Sequence, residues 1–74
     1  MKRIDVVKKS DEWVGESRNK IVARAPTKAD AVRETARVAR ADPEPVTVKI
    51  HKENGRIQEE RTYPRAADPR QSKG

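Results

Sequence analysis

The chain has no cysteine and no phenylalanine, and only one tryptophan and one tyrosine in 74 residues. Without cysteine there is no disulfide staple and no thiolate metal site. Leucine is missing as well, so the large aliphatic set is four Ile and eight Val. That share falls below the roughly 20% that usually separates folded chains from disordered ones when net charge is high. A chain so poor in large side chains buries only a small core, which argues against an enzyme with a deep pocket.

Long apolar runs are also missing. The longest are Val6-Val7 and Ile21-Val22-Ala23, too short for a signal-peptide core or a membrane span. The opening Met1-Lys2-Arg3 is basic, but Asp5, Lys8, Lys9, Asp11 and Glu12 follow at once. A cytoplasmic location is expected. Charged residues make up 41% of the chain, with 18 basic and 12 acidic side chains and a net charge of +6. A surplus of that sign suits an anionic partner, nucleic acid or an acidic protein surface.

What apolar residues there are sit in ordered patterns. Ile4, Val6 and Val7 mark a short strand between Arg3 and Lys9. Ser10-Asp11-Glu12 is turn chemistry, and Trp13-Val14-Gly15-Glu16 reads as a second strand, with Gly15 a weak point or a bulge. Arg18-Asn19-Lys20 breaks the chain before a third strand, Ile21 to Ala25. Thr27 is placed to cap a helix over 28–41 by accepting from the N–H of Asp30, and Asp30 suits the positive end of the dipole. Ala29, Ala31, Val32, Thr35, Ala36, Val38 and Ala39 fill one half of its wheel. Asp42-Pro43 stops it, because the residue before proline is pushed out of helical backbone.

After Pro45, Val46, Val48 and Ile50 alternate with Thr47, Lys49 and His51. Asn54-Gly55 then offers the two positive-φ residues of a type I′ hairpin turn. With that turn, Ile57 falls opposite Lys52, and Glu59, Arg61 and Tyr63 share the face of Val46, Val48 and Ile50. The return strand, 56–63, is then a poorly apolar sheet edge. The domain is expected to span 1–63. The stretch 64–74 has two prolines, four charges and no large apolar residue, the composition of a disordered basic tail. The fold class that follows is α+β: an antiparallel sheet of four or five short strands with one helix on one face, in the order ββ(β)αββ.

The order of these signals is familiar. Trp13 in a strand, Thr27 opening a helix at Ala31, then His51, Gly55-Arg56-Ile57 and Tyr63 stand in sequence. The pattern over residues 4–63 resembles a small bacterial family known as domain of unknown function 2188. Two departures stand out: Pro64 follows Tyr63 directly, with Asp68-Pro69 only later, and Gly15 replaces an apolar strand position. The resemblance implies the fold and no activity.

Candidate sites follow from residue chemistry. His51, the only histidine, has the titration range of a general base or a pH switch. Catalysis would also need a nucleophile or metal, yet there is no second His, and Ser10, Ser17 and Ser72 lie in turns or the tail. The simpler role is to pin the hairpin by a hydrogen bond. Trp13 and Tyr63 have the chemistry to stack on bases, but Trp13 is more valuable as core mass and Tyr63 should be half buried. Arg33, Arg37 and Arg40 form a stripe along the helix that suits phosphates, although Asp30 and Glu34 stand at salt-bridging distance from it. Lys49, Lys52 and Arg56 make a second basic group at the hairpin. If the alanine face covers Val46, Val48 and Ile50, the two groups point to opposite sides. The expected function is a non-enzymatic basic binding module. Weak, sequence-independent nucleic-acid association would run through Arg33, Arg37, Arg40, Lys49, Lys52 and Arg56. The alternative is a protein-interaction or assembly module using the bare sheet face or an edge strand, homodimerisation included. No cofactor, metal or membrane is implied.

Overall fold

The computed structural model describes residues 2–64, so the expected tail lies outside them except for Pro64. The elements are β1 (Lys2–Lys9), β2 (Glu12–Ser17), β3 (Lys20–Ala25), α1 (Lys28–Ala41), β4 (Val46–His51) and β5 (Ile57–Tyr63). Helix α1 begins at Thr27, whose hydroxyl accepts from the Asp30 N–H at 3.2 Å, and ends at the Asp42 cap. Both ends fall where capping and proline chemistry place them.

The five strands form one sheet in the order β3-β2-β1-β4-β5. This departs from a wholly antiparallel sheet. β1 and β4 pair in parallel at the centre, with Ile4 beside Val48 and Val6 beside Ile50. The cause is the connection: α1 carries the chain across the sheet face, so β4 starts from the same end as β1. Antiparallel pairs flank this parallel seam, the β1–β2–β3 meander on one side and the β4–β5 hairpin on the other.

The core lies between α1 and one sheet face. Ile4, Val6, Trp13, Val46, Val48, Ile50 and Tyr63 meet Ala31, Ala36 and Ala39 there. Trp13 is 7% exposed and Tyr63 only 4%, so Tyr63 is buried rather than half buried. The buried stripe of the helix is narrower than the wheel suggests. Ala29 is exposed and Val38 is 39% exposed, because alanines bring the helix close to the sheet only along the line of Ala31, Thr35 and Ala39. At that closest line stands Gly15. A Cβ built on it would lie 2.3 Å from Thr35 Oγ1 and 3.4 Å from Ile4 Cγ2. The glycine is the space into which the helix fits.

The turns also differ from expectation. Only Gly55 has a positive φ, +91°, while Asn54 does not. Lys52 donates to Arg56 O and Gly55 donates to Lys52 O, while Asn54 Oδ1 accepts from the Arg56 N–H. The loop is therefore three residues, Glu53 to Gly55, with glycine in the left-handed position. A bulge beside Ile50 and His51 then sets Ile57 opposite His51, not Lys52, and leaves Ile57 48% exposed. Glu59, Arg61 and Tyr63 do pair with Ile50, Val48 and Val46. The two-residue turn with both central φ values positive is Arg18-Asn19, at 50° and 66°.

Candidate functional site

The burial of Ala31, Thr35, Ala36 and Ala39 turns Arg33, Arg37 and Arg40 away from the sheet. Arg33 Nη1 lies 3.2 Å from Asp30 Oδ1, and Arg37 Nη2 lies 2.7 Å from Glu34 Oε1. Arg40 sits over the Tyr63 ring, 5.7 Å from its centroid, a cation–π contact. The stripe exists, but each guanidinium already has a local partner. Such exposed pairs are worth about 0–1 kcal/mol each, so they remain exchangeable.

The second basic group is split. Lys49 lies on the sheet face away from the helix, 3.6 Å from Glu60 Oε2. Lys52 and Arg56 flank the hairpin loop, exposed and without a carboxylate partner among the described residues. Helix arginines and Lys49 thus face opposite sides of the sheet, and one duplex cannot touch both. The face holding Lys49 is not bare. Arg3–Asp5, Lys9–Glu16 and Arg24–Glu12 ion pairs run across it, and Val14 beneath them is fully buried.

His51 makes the loop contact expected of it: Nδ1 lies 3.0 Å from Gly55 O. Its Nε2 is buried without a hydrogen bond and stands 3.7 Å from Asp5 Oδ1. Neither ring nitrogen is free at the surface to meet a substrate. The Ser17 hydroxyl donates to the Arg3 carbonyl at 2.9 Å, on the Asp5 strand but at its other end. No group of His and acidic residues among the described ones has the arrangement of a metal site.

The residues that carried the sequence resemblance have visible work in the fold. Thr27 caps α1, Gly55 supplies the positive φ of the hairpin, His51 ties that loop, and Tyr63 closes the core under Arg40. Trp13 is buried, with the Lys28 ammonium 5.4 Å from its ring centroid. The family model described as "Uncharacterized protein conserved in bacteria (DUF2188)" matches residues 4–63. The chain belongs to DUF2188. No curated protein and no solved structure matches it. In this DUF2188 member the stretch from His51 to Ile57 forms the hairpin loop and sets the β4–β5 register.

One surface was not singled out from the sequence. Of the exposed large aliphatics, Val22 on β3 and Val38 on α1 share a groove, Ile21 pairs with Glu16 on the face away from the helix, and Ile57 stands apart on β5. Val22 and Val38 line a groove of about 410 Å³ between β3 and α1, and both also border a hollow of about 530 Å³ formed mainly by β1, the end of β2 and the C-terminal end of α1. A bulge opposite Gly15 and Glu16 makes Val22 an extra residue in β3, and it turns to the helix side beside Val38. The available signal was the adjacent pair Ile21-Val22, which breaks strand alternation. Arg18 and Lys20 beside it have no carboxylate partner among the described residues. No described helix is long and apolar enough to cross a membrane.

Proposed function

We propose that this domain is a non-enzymatic protein-interaction module that receives a strand from its partner along β3. The observation that supports this is the exposed pair Val22 on β3 and Val38 on α1, lining a groove beside a sheet edge that no other described strand covers. Strand addition draws affinity from main-chain hydrogen bonds and specificity from such side-chain grooves. The test is capture from a nuclease-treated bacterial lysate. A partner held by the native domain at about 0.5 M salt, where exposed charge contacts are screened, should be lost by Val22→Lys/Val38→Lys. Equal retention by that variant sinks the reading.

A second reading, weak sequence-independent association with the nucleic-acid backbone, is favoured by Lys52 and Arg56 standing exposed and unpaired at the hairpin, in a chain of net charge +6. Lys49 and the three helix arginines must first exchange their present partners. Binding of this kind weakens with salt at a slope of about 0.9 per phosphate neutralised. Lys52→Glu/Arg56→Glu should abolish it, and no binding to DNA or RNA at about 50 mM salt rules it out.

A further inference from the structure

The β3 edge combines three properties that identify the kind of strand it takes. Its outer side has no neighbour among the described strands, so backbone donors and acceptors there face outward. Val22 and Val38 offer an apolar seat. The charge left uncompensated beside them is positive. Asp30 and Glu34, which line the groove, are already bonded to Arg33 and Arg37, and Glu12 to Arg24. Arg18 and Lys20, at the β2–β3 turn, have no carboxylate partner among the described residues. A second copy fits poorly, because β3 against β3 sets Lys20 and Arg24 against the same cations.

Resting on the strand-addition reading above, we propose that β3 takes an extended acidic–aliphatic segment of another protein. One aliphatic side chain sits between Val22 and Val38, and a carboxylate meets Arg18 and Lys20. The bulge is what makes the seat: by adding a residue it re-aims Val22 from the sheet edge into the groove. Lys and a bulge ordinarily protect an edge from indiscriminate pairing. Here they select by charge, admitting a strand that carries carboxylates and repelling a basic one.

The experiment is amide NMR of the whole chain at about 50 mM salt, titrated with a short, end-blocked peptide alternating Val and Glu. A second peptide carries Lys in place of Glu. The Glu peptide should shift resonances of 20–25 and 30–38 and slow hydrogen exchange along β3, binding at least ~10-fold more tightly than the Lys peptide. Arg18→Asn/Lys20→Gln, which keeps the turn and removes both charges, should reduce Glu-peptide affinity ~5–10-fold without lowering the melting temperature. Equal binding of the two peptides at β3 overturns the acidic assignment and leaves strand addition standing. Shifts elsewhere, or none, overturn both. Concentration-dependent β3 shifts in the peptide-free protein would make the occupant a second copy, also overturning the proposal.

Discussion

Gly15→Ala tests whether the helix is seated as closely as the geometry requires. The added methyl would lie 2.3 Å from Thr35 Oγ1, about 1 Å inside an ordinary contact, and 3.4 Å from both Ile4 Cγ2 and Thr35 Cβ. Overpacking of one methyl costs roughly 1–3 kcal/mol. In a domain this small, about 2 kcal/mol lowers the melting temperature by ~8–16 °C. The partner change is Thr35→Ala. Thr35 is fully buried and its hydroxyl has no hydrogen-bond partner, so removing that oxygen relieves ~1–3 kcal/mol of desolvation. The loss of its methyl costs about 1 kcal/mol. Thr35→Ala alone should therefore be close to neutral. In Gly15→Ala/Thr35→Ala the new methyl occupies the space the oxygen leaves, and the strand gains ~0.4–1 kcal/mol from a less free unfolded chain. The double variant should match or exceed native stability, a coupling of about 1–3 kcal/mol. Thr35→Val keeps a branch where the oxygen was and should not rescue Gly15→Ala. Urea melts followed by fluorescence of Trp13, the only tryptophan, give all the corners of the cycle. Additive effects, within ~0.5 kcal/mol, would show that the glycine is not the helix seat.

The other expectations are simpler. Trp13→Ala should cost about 3–5 kcal/mol and unfold the domain at ambient temperature, read by far-UV circular dichroism; a folded variant would move Trp13 out of the core. Gly55→Val should cost ~1 kcal/mol or more although its side chain meets open space, because the penalty is the +91° φ alone. Arg18→Asn should raise the melting temperature, since Asn tolerates the left-handed φ of 50° better than Arg. Asp42 is held below the usual carboxylate range, first by its hydrogen bond from Lys2, 2.8 Å away, and then by the Glu44 N–H. A depressed folded pKa adds stability above the unfolded value of 3.8 that is lost as pH falls through the folded one. Acid melts below about pH 4 should thus be less steep for Asp42→Asn, and unchanged steepness would mean the link contributes nothing.

Much of the fold was legible because single residues decide it. Thr27 and Pro43 bracket the helix, and Val46-Val48-Ile50 can lie only on one face of a strand. The parallel seam was not legible, since nothing in the sequence of β1 says whether its second neighbour comes before or after the helix. The bulge beside His51 was hidden because it displaces Gln58, a polar residue with no face preference. Arg18-Asn19 reads as a break rather than a type I′ turn because arginine is a poor residue for left-handed backbone. Lys49 and the helix arginines stand on opposite sides as the alternation implies, while Lys52 and Arg56 belong to the loop rather than to a face. The partners depend on side chains brought from other strands, for Glu60 reaches Lys49 only through the β4–β5 register and Tyr63 meets Arg40 across the core. The β3 groove depends on the bulge, whose one trace in the sequence is the adjacent pair Ile21-Val22.

The parallel seam has a consequence for synthesis on the ribosome. β1 is made before the other described elements, yet it ends in the middle of the sheet, and its second neighbour, β4, ends at residue 51. After β3 is complete at residue 25, translation at roughly 5–20 residues per second leaves β1 with one edge open for ~1–5 s. Throughout that interval Ile4 and Val6 lack β4 beside them, and until residue 41 is made they lack a complete α1 above them as well. What surrounds them is Lys2, Arg3, Asp5, Lys8 and Lys9, charges that discourage a nascent meander from pairing with another chain. The dense charge of the first strand, whose exposed pairs are worth about 0–1 kcal/mol each in the finished domain, suits the wait for its partner.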